Sequence, residues 1–253
     1  MRLHPAMRDR ERKVVPLRSA TMSTQIVAQV REALFAKELR PGDFLGTEKH
    51  LAERFGVSRI VARDALRTLE AQGIVEIRVG SGGGARIAQG NARLFAEALA
   101  VQLDLTGVTV AEIMDAQRAI ESLAAELAAR RSTGRDHARL RALNAESGRR
   151  IGDVAGFTRL GREFHLAVAE ASHNRVLVVE LISLQHVSWP AQNPTLTPRV
   201  ARRILAAHEE LASLIEMRDA GGARRLMEEH VTMIAARRVA ERAAMPGREA
   251  ACC

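Results

Sequence analysis

Between Phe55 and Ala88 the hydrophobic period changes from helical to alternating, and glycine marks the change. Ser58 is placed to cap a helix running to about Gln72, whose Ala62, Ala65, Leu66 and Leu69 follow the i, i+3, i+4, i+7 spacing of one buried face. Gly73 ends it. Ile74–Val79 then alternates as a strand, Gly80–Gly84 makes a tip, and Ala85–Ala88 returns as the partner strand. Upstream, a helix from about Ser23 to Glu38 carries Ile26, Val27, Val30, Ala33 and Leu34 on one stripe. Arg40-Pro41-Gly42-Asp43 turns the chain, and a short helix from about Thr47 to Phe55 is closed by Gly56. Three helices followed by a hairpin read as a winged helix-turn-helix.

Arg59, Arg63 and Arg67 stand four apart beside the buried stripe. Such a helix can pack one side on its domain while guanidiniums reach phosphates and guanine O6 and N7 in a DNA major groove. Ser58 and Arg59 lie at its N-terminal end, where backbone N–H groups can also hold a phosphate. Arg78 and Arg86 flank the glycine tip, and glycine lets a wing approach the sugar-phosphate rail closely. Arginines four apart are, on their own, more often a solvated face; the tight turn before them and the glycine-tipped hairpin after them favour DNA. The charge agrees. Of a net +8, residues 1–90 carry 16 Lys+Arg against 10 Asp+Glu, and the remainder 22 against 20. The excess sits where a polyanion would bind.

From about Asn91 the pattern is helical throughout, with helices expected near 91–103, 110–131, 135–151, 153–172, 175–189, 198–219 and 222–244. Thr109–Glu112 is a capping box, Thr197-Pro198 a cap before a first-turn proline, and Gly221-Gly222 a break between the last two helices. Aromatics make up only 3% of the chain, with no Tyr and one Trp, so the core must be aliphatic, which suits packed helices. The expected fold is mainly α: a basic disordered arm (1–22), a winged helix-turn-helix (23–89), an all-α antiparallel helical bundle (90–245) and a flexible tail (246–253).

Residues 24–88 resemble the N-terminal domain of the GntR family of bacterial transcription regulators. The resemblance rests on Pro41-Gly42-Asp43-Phe44-Leu45, on Leu51-Ala52-Glu53-Arg54-Phe55-Gly56-Val57-Ser58-Arg59, on Ala62-Arg63-Asp64-Ala65-Leu66 and on Leu69-Glu70-Ala71-Gln72-Gly73. It implies DNA contacts from Lys49, Ser58, Arg59, Arg63 and the wing at Gly80. Ala62 stands where the family usually has Val. Residues 91–240 are similar to the FadR-type effector-binding domain called FCD, through Ile120-Glu121, Leu127-Ala128-Ala129, Phe164-His165, Ala171-Ser172-His173-Asn174, His208 and His230. The resemblance implies a homodimer that binds a small organic acid or acyl effector and releases its double-stranded operator.

Many members of that type hold a divalent metal on three such histidines and an Asp one turn before the first. His165, His208 and His230 therefore stand as candidate ligands for Zn²⁺ or Ni²⁺, with Gly161 where the Asp is expected. Water or an effector carboxylate would complete the shell; the competing reading is a pocket lining without metal. An Arg is common four residues before the Glu at 121, where this chain has Gln117, with Arg118 adjacent. Gln117, Arg118 and the three histidines are the expected effector contacts. His4, His50, His137, His173 and His186 read as surface or cap residues.

The chain carries no HExxH, GxSxG, Walker or GxGxxG motif, so a regulator is expected rather than an enzyme. Residues 1–22 lack the apolar stretch of a signal peptide, and no apolar run reaches about 18 residues. The expectation is a reduced, cytoplasmic protein without a membrane partner. Cys252 and Cys253, adjacent at the end, cannot form a disulfide framework.

Overall fold

The computed structural model describes residues 21–80, 82–188 and 196–243. The expected arm, apart from Thr21 and Met22, and the expected tail lie outside them, as do Trp189, Pro190 and Pro194. The chain divides into two compact units, Met1–Asn91 and Ala92–Cys253.

The first unit contains α1 (Met22–Phe35), β1 (Phe44–Gly46), α2 (Glu48–Phe55), α3 (Arg59–Ala71), β2 (Val75–Arg78) and β3 (Gly84–Ile87). The helix begins before the expected cap: Thr21 Oγ1 accepts from the Thr24 N–H at 3.3 Å, while Ser23 is buried inside the first turn. The strands form an antiparallel sheet in the order β1-β3-β2. Strand β1 has no counterpart in the sequence reading, because three residues are too few to show alternation. The core is Ile26, Val27 and Val30 of α1, Leu51 of α2, Ala62, Ala65, Leu66 and Leu69 of α3, and Val75, Ala85 and Ile87 of the wing. Ala62, the departure from the family pattern, is fully buried there.

Gly56 takes a left-handed φ of 63° and so turns the chain between α2 and α3 within three residues. At the wing the glycines answer first to the hairpin itself. Gly80, Gly82 and Gly84 have positive φ, and a Cβ on Gly83 would collide with the Arg78 carbonyl oxygen. The tip therefore needs glycine before any approach to DNA is considered.

The second unit is helical: α4 (Ala92–Leu105), α5 (Val110–Arg131), α6 (Gly134–Arg149), α7 (Val154–Ala171), α8 (Arg175–Ser188), α9 (Pro198–Glu216) and α10 (Ala220–Ala243). Helix α5 is central and packs most extensively against α10. Its Ala124, Ala125, Ala128 and Ala129 are buried, and such small side chains let neighbouring helices approach closely. Met114, Phe164, Val168, Leu211, Ile215, Met227 and Val231 fill the space around them. One break differs from expectation. Gly221 and Gly222 lie inside the first turn of α10, and the chain turns at Arg218, whose φ is 63°. Its guanidinium donates to Ala129 O (3.2 Å), Ser132 Oγ (3.1 Å) and Ser132 O (2.7 Å), which fixes the turn against the end of α5.

Candidate DNA-contact face and histidine cavity

Helix α3 is capped by Ser58, whose Oγ accepts from the Val61 N–H at 3.3 Å. At 100° per residue, the side opposite its four buried residues carries Ile60, Asp64 and Arg67. Ile60 is 77% exposed, unusual for a large apolar residue, and sequence reasoning passed over it. Arg59, Arg67, Lys49, Arg78 and Gly80 are exposed as well. Lys49 lies 3.8 Å from Glu53 in an exposed pair.

Arg63 sits at the side of this face and is clasped. Its Nε and Nη2 donate to the two carboxylate oxygens of Glu48, the first residue of α2, both at 2.8 Å. That bond, with the nearby charges of Arg63, Arg67 and Arg59, holds the Glu48 carboxyl below its usual range, and Arg63 is raised in turn. An exposed ion pair contributes only about 0–1 kcal/mol, whereas a bidentate guanine contact contributes about 1–3 kcal/mol of discrimination. The clasp therefore positions Arg63 without preventing it from changing partner.

In the second unit three histidines occupy core registers of three helices. His165 follows Phe157, Leu160, Gly161 and Phe164 on the buried side of α7; His208 follows Ile204 and Leu205 on α9; His230 lies between Met227 and Ile234 on α10. All three are buried, and their Nε2 atoms converge. His208 to His230 is 3.1 Å and His230 to His165 is 3.3 Å. The Phe164 ring stacks on His208 at 4.2 Å. Behind His165, Nδ1 meets the Glu121 carboxylate, whose other oxygen accepts from Gln117 Nε2 at 2.5 Å. A carboxylate only accepts, so His165 Nδ1 donates to Glu121.

Burial, reinforced by the charge of its histidine neighbours, pushes His208 well below the usual imidazole range. Burial, then His165 and Arg237, pushes His230 down to about 3. Both are neutral near pH 7. The contacts cannot all be satisfied: His230 Nε2 faces two other ring nitrogens and has either one proton to donate or one lone pair to accept with, so at most one of the two contacts is a well-formed hydrogen bond. The Nδ1 atoms of His208 and His230 are also buried without a hydrogen bond.

Beside the histidines lies a cavity of about 30 Å³, whose walls include Thr158, Gly161, His165, His208, Arg237 and Arg238. That is room for one or two water-sized groups. Gln117 is buried one turn from Glu121 and bonded to it, but it is not among the residues that line the cavity. Arg118 is directed elsewhere, pairing with Asp115 at 3.1 Å on a half-exposed face, and the structure does not bring it to the cavity. Sequence reasoning missed Arg237 and Arg238. They lie seven and eight residues after His230, which is the same side of a helix. Glu121 had served only as a family cue; its signal was an acid on the apolar stripe of α5. His137 and His173 play surface roles, bonding Ser132 and Asp136.

Two family models match the chain: "Bacterial regulatory proteins, gntR family" over residues 22–84 and "FCD domain" over residues 112–233. The Uxu operon transcriptional regulator of Escherichia coli is 31% identical over 217 residues, 82% of each chain. The chain belongs to the GntR family. The Uxu operon regulator of Haemophilus influenzae is 30% identical over 75% of this chain and 71% of its own, and the Glc operon transcriptional activator of E. coli 27% over 83% and 86%. A solved Streptococcus agalactiae GntR protein shares the fold with a TM-score of 0.64, at 23% identity over 86% of this chain and 99% of its own. This GntR-family chain, with its FCD domain, is a DNA-binding transcription regulator and not an enzyme. Among its described residues, no helix is long and apolar enough to cross a membrane.

Proposed function

We propose that this regulator is a homodimer that represses by occupying a short inverted-repeat operator and is released when a small organic acid enters the histidine cavity. The observation that carries the reading is the cavity itself: buried imidazoles from three helices beside two arginines, in a domain class that binds effectors. On the DNA side, the proposed contacts are Lys49, Ser58, Arg59, Arg63, Arg67, Arg78 and Gly80, joined by Ile60. Two heads on one symmetric dimer would meet two half-sites, so operator symmetry would mirror protein symmetry. Release follows only if the acid binds the DNA-incompetent arrangement more tightly than the competent one.

The three histidines fit a divalent metal. Zinc–nitrogen bonds of about 2.0–2.1 Å at tetrahedral angles put ligand nitrogens about 3.3 Å apart, close to the two contacts of His230, and all three candidate ligand atoms lie within 4.8 Å of one another. One cation would accept all three Nε2 lone pairs, which no distribution of protons can satisfy. His165, His208 and His230 would hold it, with Glu121 orienting His165 from behind. When bound, a Zn²⁺ or Ni²⁺ ion would supply a positive centre for an anionic ligand.

The opposite sign of regulation is the second reading, favoured by the relative named as an activator. The experiment is to select DNA from a random pool, footprint it, and measure affinity at fixed salt with and without small acids. Weaker specific binding with an acid supports release. Tighter binding supports the activator reading, and no preference for any sequence contradicts both.

A further inference from the structure

Arg63 is held along one edge only, and the edge left over decides what it can read. A guanidinium carries five N–H groups in two forks of parallel donors: Nε with Nη2 along its side, and Nη2 with Nη1 across its end. Glu48 fills the side fork, with both bonds at 2.8 Å. These are the hydrogen bonds that Arg63 makes among the described residues, so the end fork is open. Guanine offers O6 and N7 as the matching pair of acceptors. Stability does not account for the clasp. With the two side chains 52% and 39% exposed, such a pair adds little to the fold. A carboxylate on a face that meets phosphates also repels them. Glu48 nonetheless stands there, where the bond to Arg63, then the charges of Arg67 and Arg59, hold its carboxyl below the usual range. Its own position is fixed as well. It is the first residue of α2, whose positive end favours a carboxylate, and Thr47 caps that helix by accepting from the His50 N–H at 3.2 Å.

We propose that Glu48 is a positioning residue for base reading: it locks the side fork of Arg63 so that the end fork meets a guanine in the major groove. The freedom of a long side chain is then lost before the duplex arrives, and the plane of the guanidinium is already set. Arg63 needs no change of partner, because it can hold the carboxylate and the base at once. Without Glu48 the guanidinium is free to turn to phosphates, which carry no sequence. The carboxylate weakens binding to every sequence by repelling phosphates, and it widens the gap between the right sequence and the rest. The inference rests on the reading of Arg63 as a base contact.

The test measures the affinity of the full-length chain for the selected operator and for random DNA at one salt concentration, with the unmodified protein, Glu48→Gln, Arg63→Ala and the double variant. Gln offers one acceptor oxygen and can fill only half of the side fork. Glu48→Gln should tighten binding to random DNA and lower the ratio of operator to random affinity by about 5- to 150-fold, the discrimination of a bidentate guanine contact. In the Arg63→Ala background the same substitution should leave the ratio unchanged. Operators carrying 7-deazaguanine, which lacks the N7 acceptor, should bind the unmodified protein more weakly at one guanine of each half-site, and Glu48→Gln should lose that sensitivity. A ratio lowered by Arg63→Ala but untouched by Glu48→Gln overturns the positioning role and leaves the base contact standing. A ratio that neither substitution moves overturns both. Equal weakening on the two DNAs would make Glu48 only a staple between α2 and α3, and a loss that persists without Arg63 would make it a direct contact; either result overturns the proposal. If Glu48→Gln fails to fold, Glu48→Ala carries the same predictions, and 7-deazaguanine without effect at any position in the unmodified protein also overturns it.

Discussion

At the scale of single residues, Ile60 and Arg63 are the proposed apolar and cationic contacts of α3 with DNA, and each has its own test. Ile60 stands at the outermost point of the first turn of α3, 77% exposed, where an apolar side chain can meet only the thymine methyl group among base edges. Replacing single thymines in the selected operator by uracil, which removes just that methyl, should weaken binding at one position of each half-site. Ile60→Ala should abolish that sensitivity; equal sensitivity in both proteins would exclude the contact. Arg63→Ala should lose about 1–3 kcal/mol of operator preference over random DNA. Equal loss on both would reduce Arg63 to a phosphate contact. The histidines give a pH signature. His208 and His230 are neutral in the fold, and His230 stays so down to about 3, while an unfolded histidine titrates near 6.5. Above the unfolded value neither state binds the proton, and stability is full. As pH falls below it, only the unfolded chain takes up protons, so stability drops, by about 2 kcal/mol for His230 alone at pH 5. Urea unfolding of metal-free protein at pH 7 and pH 5 should show this loss, and His230→Asn should flatten it. An unchanged slope would mean that the histidine is solvated in the folded state.

At the scale of elements, the local chemistry of the helix ends was largely legible in the sequence. The Thr109–Glu112 capping box is present in full, with Thr109 Oγ1 accepting from the Glu112 N–H at 3.2 Å and Glu112 accepting from the Thr109 N–H at 2.8 Å. Thr109→Ala should therefore lower stability by about 0.5–2 kcal/mol in denaturant titration. A loss well below that would mean the end of α5 is held by other contacts. What failed to show in the sequence has physical causes. The break before α10 was assigned to Gly221-Gly222 because glycine is the usual left-handed residue, but Arg218 takes that conformation, held by three hydrogen bonds to the end of α5 that no local pattern reveals. The Glu48–Arg63 clasp joins residues 15 apart and needs the angle between α2 and α3 to be known. In the cavity, histidines at core registers were conspicuous as polar residues on apolar stripes. Arg237 and Arg238 were not, since on an exposed face the same pair would look like ordinary surface charge.

For the whole molecule, the charge division between the units matches their roles: a basic DNA-binding unit and a nearly balanced helical one. The salt dependence of operator binding should then follow the exposed cations of the first unit, with Lys49→Ala lowering the slope by about one counterion. A slope unchanged by that substitution would remove Lys49 from the phosphate contacts. The central claim is that the histidine cavity governs the DNA affinity of the winged unit. It is tested most directly by titrating the selected operator with the full-length protein and its His208→Ala variant, at one salt concentration, with and without the acid and Zn²⁺ together. The account predicts that both proteins bind equally without ligands and that only the unmodified one is shifted by them. An identical ligand shift in the two proteins would contradict it.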